Sequence, residues 1–286
     1  MEIQTKPLDP GLYFVATPIG AARDITLRAL DILASADVIA AEDTRTAKHL
    51  MQIHGITLGE RPVIAYHDHS APGLRDRIVA MIAEGKSVAY ASEAGTPLVA
   101  DPGFQLARAV IAAGLPVTTA PGPSAVLAAL TVSGLPSDRF LFAGFPPTAR
   151  GQRAKMLAEL AQIPATLVLY ESPKRVHRLL GELGDHFGKE RQAVVCRELT
   201  KRFEEVARGS LAELEQAFAD RAVKGEVVVL VDRAPAPVAD AQSLEAALRA
   251  ALPGKSVKDA AAEVAAALNL PRRQVYQEAL KLAGED

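Results

Sequence analysis

Five short runs constrain this chain most: LYFVA (residues 12–16), DVIAAE (37–42), PVIAYH (62–67), SVAYAS (87–92) and PVTTA (116–120). They are apolar almost throughout. A strand with one wet face alternates apolar and polar residues, whereas a strand covered on both faces does not. Helical patterns separate the runs: DITLRALDILASA, TAKHLMQIHG, LRDRIVAMIAEG and FQLARAVIAAG. The first places Ile25, Leu30 and Leu33 near one face and predicts Asp24 as its N-cap. Gly55, Gly85 and Gly114 stand where C-terminal caps belong. Strand and helix alternating with short links predict a doubly wound, mostly parallel sheet.

With 286 residues, 49% of them apolar, the chain is long enough for about two domains with sizeable cores. SGLPSDRFLFAGFPP (133–147), with its glycines and three prolines, breaks the first rhythm, and the domain boundary is expected within Pro123–Pro136. A second α/β region follows, and two consecutive strands around LTKR predict a hairpin and hence a mixed sheet. The proline- and alanine-rich RAPAPVADAQS reads as a linker. Beyond it Ser256 caps one helix, and a turn with Leu270 and Pro271 leads to another, in helix-turn-helix outline. The domains expected are 11–125 and 126–233, both α/β, and a helical tail over 241–286.

A net charge of −2 gives no global basic field, so any nucleic acid must be held by a local patch. The only cysteine, Cys196, excludes an internal disulfide and reads as a small buried hydrophobe. The N-terminus shows no signal-peptide pattern, and no apolar run is long enough to span a membrane. A cytoplasmic protein is expected.

The turn TPIGAARD lacks the G-x-G-x-x-G spacing that brings backbone against a diphosphate, so NAD and FAD are disfavoured. It also lacks G-K-S/T, which excludes a Walker loop. Alone, it is an ordinary βα turn. SEAGTPLVADPG (92–103) follows the fourth run at its carboxyl end, where open α/β sheets bind ligands. Pro97 and Pro102 stiffen it and remove N–H groups. Its carbonyls and carboxylates suit a cationic ligand better than a phosphate; the competing reading is a proline-rich connector. APGPSAVLAAL ends another run, with Ser124 opening a helix whose first N–H groups lack partners. His67 and His69 share one side of an extended segment, but zinc needs a third protein ligand, and polar residues at a strand end explain the run equally. Glu42, Asp43 and Arg45 read as a capped helix start or a polar cluster over the cleft. Lys174, Arg175, Arg178, Lys201 and Arg202, with Arg150, Arg153 and Lys155, form either a basic surface or solvated helix faces.

TPIG…DIT, AEDTR, HDH, AGTPLVADPG, PGPSA, GLPSDRF, GF.P, YES and ELTK occur in this order. Together they resemble the tetrapyrrole methylase superfamily and, more narrowly, the ribosomal RNA small subunit methyltransferase I (RsmI) family, over about residues 11–233. The resemblance implies two α/β domains of tetrapyrrole-methylase type, with a parallel N-terminal and a mixed C-terminal sheet, and a small helical tail. It implies S-adenosyl-L-methionine-dependent 2′-O-methylation of the decoding-centre cytidine in 16S rRNA of the small ribosomal subunit. A homodimer is expected, and neither membrane nor DNA as partner. By the same resemblance Pro18, Glu93, Ala94, Gly95, Thr96, Pro97, Leu98, Ser124 and Ala125 bind the cofactor, with Tyr170, Glu198 and Glu226 from the second domain. There are two departures. Glu93 stands where the family usually has Asp, and Ala21 and Ala22 stand where it usually has Asn-Leu.

Methyl transfer to a ribose oxygen needs alignment and proton removal. Asp43 and His67 are the residues considered as base, with Arg45 orienting ribose or phosphate; no metal is required. Three rival readings differ in class. A tetrapyrrole or other small-molecule methyltransferase is countered by the tail and YESPKRV. A DNA-binding sensor is countered by a tail whose charges cancel, leaving only Arg272 and Arg273 concentrated enough to touch a phosphate backbone. A nicotinamide dehydrogenase is countered by the missing glycines.

Overall fold

The computed structural model describes residues 3–67, 70, 72–100, 102–234, 241–268, 270 and 272–283. His69, Asp101 and Pro271 from the motifs above, and linker residues 235–240, lie outside them.

The five apolar runs form β1 (Gly11–Val15), β2 (Val38–Ala41), β3 (Val63–Ala65), β4 (Ser87–Ala91) and β5 (Val117–Ala120). They make one all-parallel sheet in the order β3-β2-β4-β1-β5. Between them run α1 (Leu27–Ser35), α2 (Thr44–Ile53), α3 (Pro72–Ala83) and α4 (Phe104–Ala112). Successive strand residues point to opposite faces. Leu12, Phe14, Val38, Ala40, Val88 and Tyr90 pack with Ile78 and Ile82 of α3 and Leu106 and Val110 of α4. Val15, Ile39, Ala41, Ala89 and Ala91 pack with Leu30 and Leu33 of α1 and Leu50 and Met51 of α2. Both faces are dry, which is why the runs lack alternation. Gly55, Gly85 and Gly114 end α2, α3 and α4 at positive φ.

One cap differs from expectation. Thr26, not Asp24, is the N-cap of α1: its side chain accepts from Ala29 N at 3.2 Å. Asp24 sits two residues earlier, its N–H donating to Ala21 O. In DIT both residues can cap, and the later helix start selects the threonine.

α5 (Ala125–Ser133) leads to the second sheet, built from β6 (Phe140–Gly144), β7 (Thr166–Glu171), β8 (Gln192–Arg197), β9 (Glu205–Ser210) and β10 (Val227–Val231). Its order is β6-β7-β10-β8-β9, with β6–β7 parallel and the other pairs antiparallel. The β8–β9 pair is the expected hairpin, in register from Gln192↔Ser210 to Arg197↔Glu205. α5 covers one face, through Val126, Ala129 and Leu130 against Val168, Val194 and Val228. The remaining helices are α6 (Arg150–Leu160), α7 (Val176–Phe187) and α8 (Leu211–Phe218). Cys196 lies in the core under α5, and burial pushes its thiol up to about 12. It is packing, as expected, and not a nucleophile.

Both sheets belong to one compact unit, Met1–Ala161 with Ala165–Asp232; Gln162–Pro164 with Arg233–Asp286 form a second. The second holds α9 (Ala241–Ala251), α10 (Val257–Ala267) and α11 (Arg272–Ala283) around Leu244, Leu248, Val264 and Val275. Ser256 caps α10, accepting from Asp259 N. Among the described residues no helix is long and apolar enough to cross a membrane.

Candidate functional site

In the strand order, β4, β1 and β5 are neighbours, so the turns at their carboxyl ends meet. Thr17, just past β1, pairs with Gly95, past β4, through two backbone hydrogen bonds of 2.9 and 3.0 Å. Thr17 Oγ1 donates to Ser92 O at 3.1 Å, and Thr96 Oγ1 donates to Pro123 O at 2.9 Å. Three separate sequence motifs are thereby joined into one rigid wall.

The second sheet supplies the facing wall through residues 198–204, between β8 and β9. Glu198 and Thr200 hold φ of +49° and +64° there, and Leu98 and Ala100 hold +70° and +55° in the loop after β4. These are the described non-glycine residues at positive φ, and all four lie in loops at the cavity. Strain of this kind persists where the surroundings over-determine it, and it clusters at functional sites. Gly20 meets the second wall directly. Its φ is not left-handed; instead an added Cβ would lie 2.5 Å from Lys201 Cγ and 2.6 Å from Thr200 Oγ1. Ala21 N also donates to Thr200 Oγ1. The glycine of TPIG is therefore required by close approach to ELTK, not by a turn. Ala22, at the second departure from the family pattern, uses its carbonyl, which contacts His54 Nε2 at 2.9 Å.

Between the walls lies a cavity of about 600 Å³, within the range of small-molecule sites. The first sheet contributes Pro18, Ile19, Gly20, Glu42, Thr46, residues 93–96, Val99, Ala100, Ser124 and Ala125. The second contributes Phe145, residues 170–173, Lys201 and residues 225–228. Of the expected cofactor residues, Pro18, Glu93, Ala94, Gly95, Thr96, Ser124, Ala125, Tyr170 and Glu226 line it. Pro97 is buried behind the loop, Leu98 is exposed outside it, and Glu198 stands behind Lys201.

Four carboxylates, Glu42, Glu93, Glu171 and Glu226, face the cavity with one ammonium, Lys201. Glu171 is buried and bonded to Arg175 Nε at 2.7 Å and to Ser172 N at 2.6 Å. Lys201 Nζ lies 2.9 Å from both Glu198 Oε1 and Glu226 Oε2. Burial alone would lower its pKa, but the bonds to the two carboxylates outweigh burial and raise it. It stays a cation. Glu198 in turn is held below the usual carboxylate range by Lys201 and by Glu226 N. Gly225 belongs to the same clamp, because an added Cβ would lie 2.3 Å from the Glu198 carboxyl group. Tyr170 is pushed up to about 12 by burial. It is neutral at working pH.

None of the three residues considered for catalysis lines the cavity: Asp43 follows the lining residue Glu42 and Arg45 precedes the lining residue Thr46, whereas His67 lies past the end of β3. Asp43 is the N-cap of α2, accepting from Arg45 N at 2.7 Å and from Arg45 Nη2 at 2.7 Å. Those hydrogen bonds hold its carboxyl down to about 2. Arg45 is raised in turn, chiefly by its hydrogen bonds to Asp43. His67 follows β3 at the sheet edge, its backbone bonded to Ser70.

The basic surface is smaller than the sequence pattern implied. Arg153 is buried, bonded to Glu182 and to the carbonyls of Pro147 and Thr148. Arg175 and Lys201 serve the ion pairs described above. Arg150, Lys155, Lys174, Arg178 and Arg202 remain exposed. Sequence reasoning missed Lys201, Glu171 and Phe145 as cavity residues. Each stood in a quoted motif (ELTK, YES, GF.P), so the signal was present but unassigned. No group of three or more metal-binding side chains occurs among the described residues.

Residues 11–215 match the family described as tetrapyrrole (corrin/porphyrin) methylases, and residues 238–283 match the RsmI C-terminal HTH domain. The chain is 46% identical over 285 residues to the ribosomal RNA small subunit methyltransferase I of Mesorhizobium japonicum, covering 98% of this chain and 95% of that one. It is similar in fold to a diphthine synthase structure, with a TM-score of 0.60 and 18% identity over 77% of this chain and 89% of that one. A uroporphyrin-III C-methyltransferase from Thermus thermophilus, complexed with S-adenyl homocysteine, gives a TM-score of 0.53 and 20% identity, covering 77% and 96%.

Proposed function

The chain belongs to the ribosomal RNA small subunit methyltransferase I family of tetrapyrrole methylases, and on that premise we propose that it methylates the 2′-oxygen of the decoding-centre cytidine in 16S rRNA, using S-adenosylmethionine. The observation that carries this reading is the cavity itself. Stiff loops at the carboxyl ends of β1, β4 and β5 close it on one side, and its lining holds four carboxylates against one ammonium. Such a lining suits a cation. Pro18, residues 93–96, Ser124, Ala125, Tyr170 and Glu226 are assigned to hold the cofactor, with Glu198 acting through Lys201.

When bound, the cofactor supplies a methyl group already activated by a sulfonium. The chain's own residues have two tasks. The first is alignment, which contributes about 7–11 kcal/mol in favourable cases. The Thr17–Gly95 and Thr96–Pro123 bonds serve it by fixing the loops before any ligand arrives. The second is to take the proton of the 2′-hydroxyl, worth about 10²- to 10⁴-fold. We assign this to the Asp43 and His67 side of the rim. A carboxyl held at about 2 is a weak acceptor, so Asp43 is assigned to anchoring Arg45 against ribose or phosphate, and His67 to the proton.

The two α/β halves (11–125 and 126–233) close the cavity, and the tail (241–286) docks on RNA. The protein works as a homodimer in the cytoplasm, with the small ribosomal subunit as partner. The deciding experiment supplies labelled cofactor with either small ribosomal subunits or a porphyrinoid. Label is expected in 16S rRNA, at a ribose position resistant to alkaline cleavage. Label in the porphyrinoid alone would sink the reading.

A further inference from the structure

Resting on the function proposed above, we infer that Phe145 is a stacking platform for a nucleobase at the cavity mouth. Phe145 lines the cavity and is 54% exposed. An aromatic ring so placed contributes little to the core, yet the surrounding structure holds it rigidly. The β6–β7 register shifts between Phe142 and Gly144, a bulge of the kind that re-aims side chains beside active sites. Gly144, immediately before the phenylalanine, adopts φ +68°, a conformation that glycine reaches without steric cost. Pro146 and Pro147 follow, and Pro146 is buried. The carbonyl of Pro147 is gripped by Arg153 Nη1 at 3.0 Å, and Arg153 is itself only 3% exposed and paired with Glu182. From behind, Tyr170 meets the Phe145 ring edge-on at 5.5 Å and 67°, and Phe142 meets Tyr170 at 4.8 Å and 66°.

A phenylalanine offers a ligand no hydrogen bond, so what this construction presents is a flat apolar face. The reaction brings two such partners to the cavity, the adenine of the cofactor and the base of the target nucleotide. Both have the same stacking chemistry, which is sequence-tolerant because every base has a π-face.

The test uses full-length Phe145→Ala, Phe145→Leu and Phe145→Trp, with thermal melts to confirm folding. Two quantities are read: the Kd for S-adenosylhomocysteine by calorimetry, and KM and kcat on small ribosomal subunits. Alanine and leucine are expected to weaken one of the two affinities by roughly 5- to 150-fold, and tryptophan to restore it. A loss in Kd assigns the platform to adenine; a loss in KM with unchanged Kd assigns it to the RNA base. Either outcome supports the inference. Affinities within twofold of wild type for alanine and leucine overturn it. So does leucine performing as well as tryptophan, which would mean a filler of apolar volume. If the wild-type protein neither binds S-adenosylhomocysteine nor methylates subunits, the proposed function has failed and this inference falls with it.

Discussion

Lys201 is the single residue whose removal should tell most about the cavity. Its ammonium separates Glu198 from Glu226, and the Glu198 side chain is only 17% exposed. Lys201→Met leaves the mostly buried Glu198 carboxylate facing that of Glu226, which is 70% exposed, with no cation between them. We expect about a 10-fold loss of S-adenosylhomocysteine affinity, in the range of one broken charged hydrogen bond. Glu226→Gln in the same chain should recover part of that loss, because it removes the repulsion. A double-mutant cycle in which the two effects simply add would show that Lys201 does not act through Glu226. Catalysis separates differently. His67→Ala is expected to lower kcat about 10²-fold with Kd unchanged, and Asp43→Asn to raise KM for subunits by loosening Arg45. Wild-type rates for both variants would remove them from the site. The sequence made the cavity-lining residues of TPIG, AGTP and PGPSA legible because each motif is local. Lys201 and Gly20 were not legible in the same way. Gly20 is explained by atoms of Thr200 and Lys201, about 180 residues further along, and no local pattern encodes that contact.

The strands were readable from composition because burial on both faces removes polar residues, and the glycines after α2, α3 and α4 marked helix ends by their left-handed conformation. The N-cap of α1 was misplaced because DIT offers two capping side chains, and only the packing of Leu30 and Leu33 fixes where the helix starts. The β8–β9 hairpin was visible as two consecutive strands, but its fastening was not. Glu205 sits opposite Arg197 in the register and bonds it at 3.0 Å, while Arg221, beyond α8, bonds the same carboxylate at 2.8 Å. Hydrogen bonding to Arg221, then to Arg197, holds the Glu205 carboxyl down to about 2, against an ordinary 4.5. A carboxyl whose folded pKa is depressed adds stability that is present above the unfolded value and lost as pH falls through the folded one. The window is therefore about pH 4.5 down to about 2. With Arg221 41% exposed, solvent screening reduces the contribution to about 1–2 kcal/mol. Glu205→Gln should lose that amount at pH 7 in denaturant melts and show a flatter acid limb. A variant as stable as wild type at pH 7 would show the bridge to be idle.

At the scale of the whole molecule, the division into two compact units makes a sharp expectation about the tail. The second unit has its own apolar centre in Leu248, Val264, Val275 and Ala279, and the described residues that line the cavity all belong to the first. Ending the chain at residue 240 should leave the α/β unit folded and its S-adenosylhomocysteine Kd within twofold of wild type. Subunit binding should suffer. In the tail Arg249 pairs with Glu245, Lys255 with Glu263 and Lys281 with Glu278. Arg272 and Arg273, at the start of α11, make no ion pair among the described residues and are exposed. Lys258 of α10 is likewise exposed and without an ion pair among the described residues, but only Arg272 and Arg273 are adjacent, and this pair predicts a loss that depends on salt. Each phosphate contact contributes about 0.7–0.9 to the slope of log K against log salt, so the truncated protein should show a slope shallower by roughly 1.5. Arg272→Ala with Arg273→Ala in the full chain should reproduce the same change. If truncation weakens binding but the double substitution leaves both affinity and slope untouched, the tail contributes by shape and not by charge. If truncation abolishes cofactor binding in a still-folded protein, the tail is part of the cavity's support, and its assignment to RNA is wrong.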